Sequence, residues 1–276
     1  MKYIIFDYDG TLHNSIKIYK PAFMTAYDYL VDNGYAKKRE FSEQEISKFL
    51  GLSAKDMWNT FIPNLPKCEK EKCSSIIGES MIKYISEGKA QLYNGVIETL
   101  NKFSEYAQVH ALQGNCDPKN ANELLDKSNI INIHDNTSNI GDIQVVGFGG
   151  SNPTPFDTPN EFSDEILYNE LSKYKDVLGS DSYTILVTHA PPLNTNADKI
   201  ESGAHVGSEG IRKIIEETQP TLNVCGHVHE SIGQDKIGDT VVVNPGDAAN
   251  GHACLLELTD EDIKNKNVNI KIFTIQ

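Results

Sequence analysis

Four short segments of this chain place polar side chains directly after a short apolar run. They are Gly114-Asn115-Cys116-Asp117, Thr188-His189-Ala190-Pro191-Pro192, Cys225-Gly226-His227-Val228-His229 and Asn244-Pro245-Gly246. Strand ends in an α/β sheet converge on one edge, so side chains distant in sequence meet there. His189, His227 and His229 offer imidazole nitrogens, and Asn115 offers an amide oxygen; a mixed N/O donor set of this kind suits Mn, Fe or Zn. Alternation along an extended backbone would put His227 and His229 on one side, and Gly226 lets the chain turn sharply toward an ion. Taken singly, a strand-end histidine or a GNxD turn is as readily structural. The ordered succession of all four segments points to a metal centre. A second polar cluster opens the chain: Ile4-Ile5-Phe6 runs into Asp7-Tyr8-Asp9-Gly10-Thr11, and two carboxylates at a strand end make a seat for Mg²⁺.

Two styles of sequence supply the elements that must position these groups, and they meet near residue 108. One strand, Lys2–Asp7, is followed by helical patterns over Ala22–Val31, Ser42–Leu50, Ala54–Phe61, Ser74–Ser86 and Val96–Phe103, with Ser42 and Glu45 spaced as a capping box. Beyond Gln108 strands alternate with helices. The strands are expected over Val109–Gln113, Ile143–Phe148, Tyr183–Thr188, Leu222–Cys225, Val241–Val243, Cys254–Leu258 and Val268–Ile275. The helices between them are expected over Ala121–Lys127, Asp164–Tyr174 and Ser208–Glu217. The Gly/Pro-rich stretch 147–159 follows a strand, where binding residues often sit.

Composition bounds the function. A net charge of −14 argues against nucleic acid or an anionic membrane as the main partner; bound divalent cations still admit an anionic substrate. No apolar run approaches the roughly 18 residues of a membrane span, and the apolar start is too short for a secretory leader. The five cysteines show no paired spacing, and Cys68 and Cys73, flanking a Lys/Glu-rich turn, do not have the spacing of a metal knuckle. A reduced, cytoplasmic protein is the simplest expectation.

With those segments in hand, residues 109–276 resemble the calcineurin-like metallophosphoesterases. That family's ordered motifs are D-x-H, G-D-x-x-D, G-N-H-[DE], a strand-end His and G-H-x-H; the last three stand here as GNCD, LVTHAPP and CGHVHE. The resemblance implies that Asn115, His189 and His227 hold one metal and His229 its neighbour, a pair of ions that activates water for attack on a phosphate ester. The fold implied is a two-sheet α/β sandwich flanked by helices. One position departs: the family's third-motif histidine, a proton donor to the leaving group, is Cys116 here. A thiol can donate a proton but is not a cation near neutral pH.

Ile4–Leu12, IIFDYDGTL, resembles the first motif of haloacid-dehalogenase-like phosphatases. That likeness implies Asp7 as a nucleophile forming an aspartyl phosphate and Asp9 as general acid/base. Phe41–Trp58, with Gly51-Leu52 at its turn, is similar to that family's helical cap, and Leu92–Leu100 to the return from cap to core. The later Ser/Thr, Lys and acidic-pair motifs do not follow. Conversely, the C-terminal part lacks D-x-H and G-D-x-x-D, for no GD dipeptide precedes Gly141. The chain thus reads as an incomplete haloacid-dehalogenase-like segment, 1–108, joined to an incomplete metallophosphoesterase domain, 109–276.

Three readings stay open. In one, the Asp7-Tyr8-Asp9 strand replaces the missing D-x-H strand, so that Asp7 and Asp9 complete a metal site with His229 and the chain hydrolyses a small phosphorylated substrate, a mono- or diester. In another, Asp7 works as a nucleophile. In the third, the chain is a weakly catalytic metal-binding module or a product of gene fusion. An incomplete sheet edge near residue 108 would favour self-association.

Overall fold

The computed structural model of the chain describes residues 2–6, 12–50, 54–105, 107–117, 119, 121–154 and 158–274. Asp7 to Thr11 and the expected cap turn at Gly51-Leu52 lie outside the described residues. In chain order the strands are β1 (Lys2–Phe6), β2 (Ala107–Ala111), β3 (Ile131–Asn132), β4 (Asn136–Ile140), β5 (Ile143–Phe148), β6 (Thr184–Thr188), β7 (Leu222–Val224), β8 (Gly233–Ile237), β9 (Thr240–Asn244), β10 (His252–Leu256) and β11 (Ile270–Thr274). The helices are α1 (Ile16–Asp32), α2 (Glu43–Ser47), α3 (Ala54–Phe61), α4 (Lys67–Ser86), α5 (Val96–Ser104), α6 (Ala121–Asp126), α7 (Asp164–Ser172), α8 (Lys175–Leu178), α9 (Glu209–Thr218) and α10 (Asp260–Asn265). The chain is mixed α/β and divides into two compact units. Met1–Leu12, Asn94–Asn152 and Asn160–Gln276 form the first, and His13–Tyr93 with Pro153–Pro159 the second.

The first unit is built on a six-stranded sheet of order β4-β5-β6-β7-β9-β8. Its four inner strands run parallel, with β5 pairing β6, β6 pairing β7 and β7 pairing β9. Their Val/Ile/Leu-rich sequences suit strands buried on both faces. Alternation sends Val146, Phe148, Leu186 and Val242 to one face, where Leu167 and Leu171 of α7 and Ile211, Ile214 and Ile215 of α9 cover them. Each such side chain contributes roughly 1.5–3 kcal/mol of burial. Ile143, Val145, Ile185, Val187 and Val243 face the other way. There they meet Ile5, Leu112 and Ile133 and, from the antiparallel β10–β11 pair, Leu256, Ile270 and Ile272. The second layer of the expected sandwich is therefore split between a three-stranded and a two-stranded sheet.

Several expectations need correction. The edge strands β4 and β8, along with β3 and α10, escaped the sequence patterns. Asn136-Thr-Ser-Asn-Ile140 and Gly233-Gln-Asp-Lys-Ile237 are polar because each edge strand is only partly buried. Each forms a hairpin with its neighbour through a two-residue Gly-Asp loop, Ile140 pairing Ile143 and Ile237 pairing Thr240. Gly141 and Gly238 hold φ of 60°, the positive-φ first position of a hairpin turn. β2 lies between β1 and β3, so the open sheet edge expected near residue 108 is covered. The Lys/Glu-rich stretch around Cys68 and Cys73 is not a turn: both residues belong to α4, where Cys68 is exposed and Cys73 buried.

In the second unit α1 packs on α4 around Phe23, whose ring meets Phe41 edge-on at 5.4 Å and stacks on Trp58 at 6.2 Å. Ser42 and Glu45 form the expected reciprocal capping box at the start of α2.

Candidate functional site

Two parallel strands end side by side in the first unit. β1 pairs with β2 in the register Lys2 to Ala107 through Phe6 to Ala111. After Ala111 the chain runs through Leu112 and Gln113 into Gly114-Asn115-Cys116-Asp117, and in sequence Phe6 is followed by Asp7.

The GNCD loop is held by its own acid and by a distant amide. Asp117, buried, accepts from the Gly114 N–H at 2.6 Å. Asn160 Nδ2 donates to the carbonyl oxygens of Asp117 (2.7 Å) and Gly114 (3.1 Å), and Asn160 N–H to that of Asn115 (3.0 Å). Buried amides need partners, and these bonds fix the loop. Cys116 is a partly buried thiol on it, in no disulfide.

His189 follows β6 and is 2 % exposed. Its Nε2 donates to Asn115 Oδ1 at 2.9 Å, so the two donor groups face each other. Gly114 must be glycine for this: a Cβ there would stand 2.9 Å from His189 Cε1. His227 completes the group, its ring centroid 4.9 Å from that of His189. The backbone at His227 is left-handed, φ 65°, and Val228 N–H donates to Gly226 O at 2.7 Å, closing a γ-turn around it. A non-glycine residue in that region carries strain of order 1–3 kcal/mol, as is found at functional sites. The Gly226 N–H donates to His189 O at 2.9 Å and ties this turn to the end of β6.

This turn overturns one expectation. β7 ends at Val224, so Gly226 to His229 is not extended, and strand alternation does not orient the two histidines. Among the described residues no hydrogen bond or ring contact joins His229 to Asn115, His189 or His227. Asp7 and Asp9 lie outside the described residues. Among the described residues, no group of three or more His, Cys, Asp and Glu side chains stands ready to hold a metal ion. The cluster present is two imidazoles and an amide, a donor set that fits Mn, Fe or Zn as part of a larger ligand group.

Two further features sit around the cluster. Asn244, fully buried, donates from Nδ2 to Val228 O at 2.8 Å and Ala197 O at 3.2 Å, while its Oδ1 accepts from Gly246 N–H at 2.9 Å. The loop after Pro192 is organised by Asp198, also fully buried. Its carboxylate accepts from the N–H groups of Asn194 (3.1 Å), Thr195 (2.8 Å) and Gly207 (2.9 Å) and from His205 Nδ1 (2.7 Å). Burial pushes the Cys225 thiol up, and the Asp198 charge adds to the shift; its Sγ bonds Val243 O at 3.3 Å. Sequence reading passed over Asn160, Asp198 and His205, because single polar residues in loops carry no periodicity. The available signal was an Asp and a His seven apart in a Gly-flanked loop.

Residues 119–268 match the family described as metallophosphoesterase, calcineurin superfamily, and residues 4–141 match the haloacid dehalogenase-like hydrolases. An uncharacterized protein of Methanocaldococcus jannaschii, MJ1162, is 46% identical over 156 residues, spanning 54% of this chain and 69% of that protein. A solved crystal structure has the same fold, with a TM-score of 0.50 at 17% identity over 92% of this chain and 94% of that one. The haloacid dehalogenase-like family protein SP0104 from Streptococcus pneumoniae aligns at a TM-score of 0.40 with 16% identity, covering 84% of this chain and 90% of that one. The chain belongs to the calcineurin-superfamily metallophosphoesterases through its C-terminal half and to the haloacid dehalogenase-like hydrolases through its N-terminal half. Both are phosphohydrolase families that generally use divalent metal ions, and the chain is accordingly a hydrolase of the phosphatase and phosphoesterase class. Among the described residues no helix is long and apolar enough to cross a membrane.

Proposed function

We propose that the chain hydrolyses small phosphate mono- or diesters at the strand ends that carry Asn115, His189 and His227, with a divalent transition metal and water as nucleophile. The observation carrying this reading is the convergence of three distant segments: His189 bonded to Asn115 at 2.9 Å, with its ring centroid 4.9 Å from that of His227. Asn115, His189, His227 and His229 would hold Mn, Fe or Zn. When bound, such ions polarise a phosphoryl oxygen and lower the pKa of water. The chain's own contribution is to hold the donors still. Asn160 and Asp117 pin the GNCD loop, Gly114 leaves room for the His189 ring, and the γ-turn presents His227.

Asp7 and Asp9 are proposed as additional ligands lent by the N-terminal half, for Mg²⁺ or for the transition metal. The parallel pairing of β1 with β2, Phe6 opposite Ala111, supports this, since it brings the strand preceding Asp7 alongside the strand preceding Gly114. Aspartyl-phosphate chemistry at Asp7 is the less favoured route, because the motifs that support it do not follow in the sequence. On this reading the two family portions join near residue 108, giving segments 1–108 and 109–276. The two compact units divide differently, since both β1 and α5 belong to the first. Replacing His227 and His229 together by Ala should abolish Mn or Zn binding in solution; an unchanged metal stoichiometry would refute the proposal.

A further inference from the structure

We infer that His205, held by Asp198, is the group that protonates the leaving alkoxide, the task for which Cys116 is poorly suited. The inference rests on the phosphoesterase reading above. The dyad is built in the manner of a proton donor. Asp198 is fully buried and receives three backbone N–H groups besides the imidazole, so its carboxylate is fixed in place. His205 Nδ1 lies 2.7 Å from Asp198 Oδ1, while the His205 side chain is 33% exposed. One ring nitrogen is therefore anchored by a carboxylate. Nε2, the other, meets no hydrogen-bonding neighbour among the described residues. Anchoring of this kind fixes the tautomer and the orientation of the ring.

The loop that bears the dyad is bound to the candidate site at both its ends. Ser208 N–H donates to Pro191 O at 2.9 Å, closing the loop back onto the segment that follows His189. Asn244 Nδ2 bridges Ala197 O, next to Asp198, and Val228 O, next to His227. Ser231 Oγ donates to Lys199 O at 2.8 Å, and Glu201 N–H to Glu230 Oε2 at 3.0 Å. Val228, Glu230 and Ser231 of this turn and its flank, with Asn244 bridging, thus constrain the loop that bears the dyad.

In the step proposed, water attacks phosphorus and loses one proton to solvent as the new P–O bond forms, while the bond to the leaving oxygen breaks with its electron pair going to that oxygen. The proton on His205 Nε2 passes to the oxygen, leaving a neutral ring paired with the Asp198 carboxylate, and solvent returns the proton. General-acid groups contribute typically 10²–10⁴-fold where the leaving group needs a proton and little where it does not.

The test compares bis(4-nitrophenyl) phosphate, whose leaving group departs as the anion near neutral pH, with diphenyl phosphate, whose leaving group does not. His205→Asn keeps an N–H for Asp198 and removes Nε2. The expected result is a loss of about 100-fold or more on diphenyl phosphate and less than about tenfold on the nitrophenyl ester. An equal loss on both esters, or none on either, overturns the dyad while leaving the phosphoesterase reading intact. Wild-type protein that with Mn turns over neither of these diesters nor the monoester 4-nitrophenyl phosphate overturns the phosphoesterase reading, and the dyad's role with it.

Discussion

His227 is held at φ 65° inside a γ-turn, and His189 is packed so closely on Gly114 that a methyl group would touch its ring. Both facts tie the chemistry of the site to single backbone positions. Gly114→Ala should push the His189 ring away from Asn115 and weaken Mn or Zn binding by about 10- to 100-fold, the scale seen when groups supporting a metal ligand are lost. Isothermal titration with Mn measures it, and an unaltered affinity would mean the Gly114–His189 contact is immaterial. Asn115, His189 and His227 were legible in the sequence because each follows an apolar run that can only be a buried strand. Their mutual orientation was not, since it depends on the γ-turn and on the Asn160 and Asn244 amides, which come from other parts of the chain. His229 illustrates the gap: alternation would have paired it with His227, and the turn removes that argument.

At the scale of elements, the inner strands of the six-stranded sheet were read almost to the residue, β5 completely, because buried parallel strands are continuous apolar runs. The polar edge strands were missed because their side chains look outward and their stability comes from the neighbour across the Gly-Asp loop. β3 and the start of β4 flank His134, which gives this region a pH response. His134 Nδ1 accepts from Gly149 N–H at 2.9 Å, so the ring is bound in its neutral form. Burial lowers its pKa, more strongly than Asp135 and Glu170 raise it. The folded state therefore takes up a proton at lower pH than the unfolded chain, and stability is retained above the ordinary histidine value of about 6.5 and lost as pH falls below it. Buried His110, its pKa also lowered by burial, acts in the same direction. The thermal midpoint should fall between about pH 7 and pH 5, and His134→Asn, which keeps an acceptor for Gly149, should flatten that slope. A slope the same in variant and wild type would remove His134 from the account.

The whole molecule combines the front of one phosphohydrolase family with the back of another, and the two family matches overlap over residues 119–141. The sequence made the two origins readable through DxDGT and GHVH. One reading had the Asp7-Tyr8-Asp9 strand stand in for the missing D-x-H strand, but the register of β1 on β2, Phe6 to Ala111, was not legible, because pairing between strands a hundred residues apart is a property of the folded chain. That pairing is what makes a shared site chemically reasonable: the carboxylate pair and the histidine segments follow strands of one unit, and the helical insertion His13–Tyr93 has its own aromatic core. The claim at the centre is that hydrolysis takes place at the Asn115–His189–His227 cluster and not through an aspartyl phosphate. Steady-state hydrolysis of bis(4-nitrophenyl) phosphate with Mn, by wild type and by His189→Ala, tests it most directly. The account predicts a loss of at least about 100-fold on removing the imidazole, as befits a group at least as important as those supporting a metal ligand. A rate unchanged in His189→Ala would contradict it and would move the chemistry to Asp7.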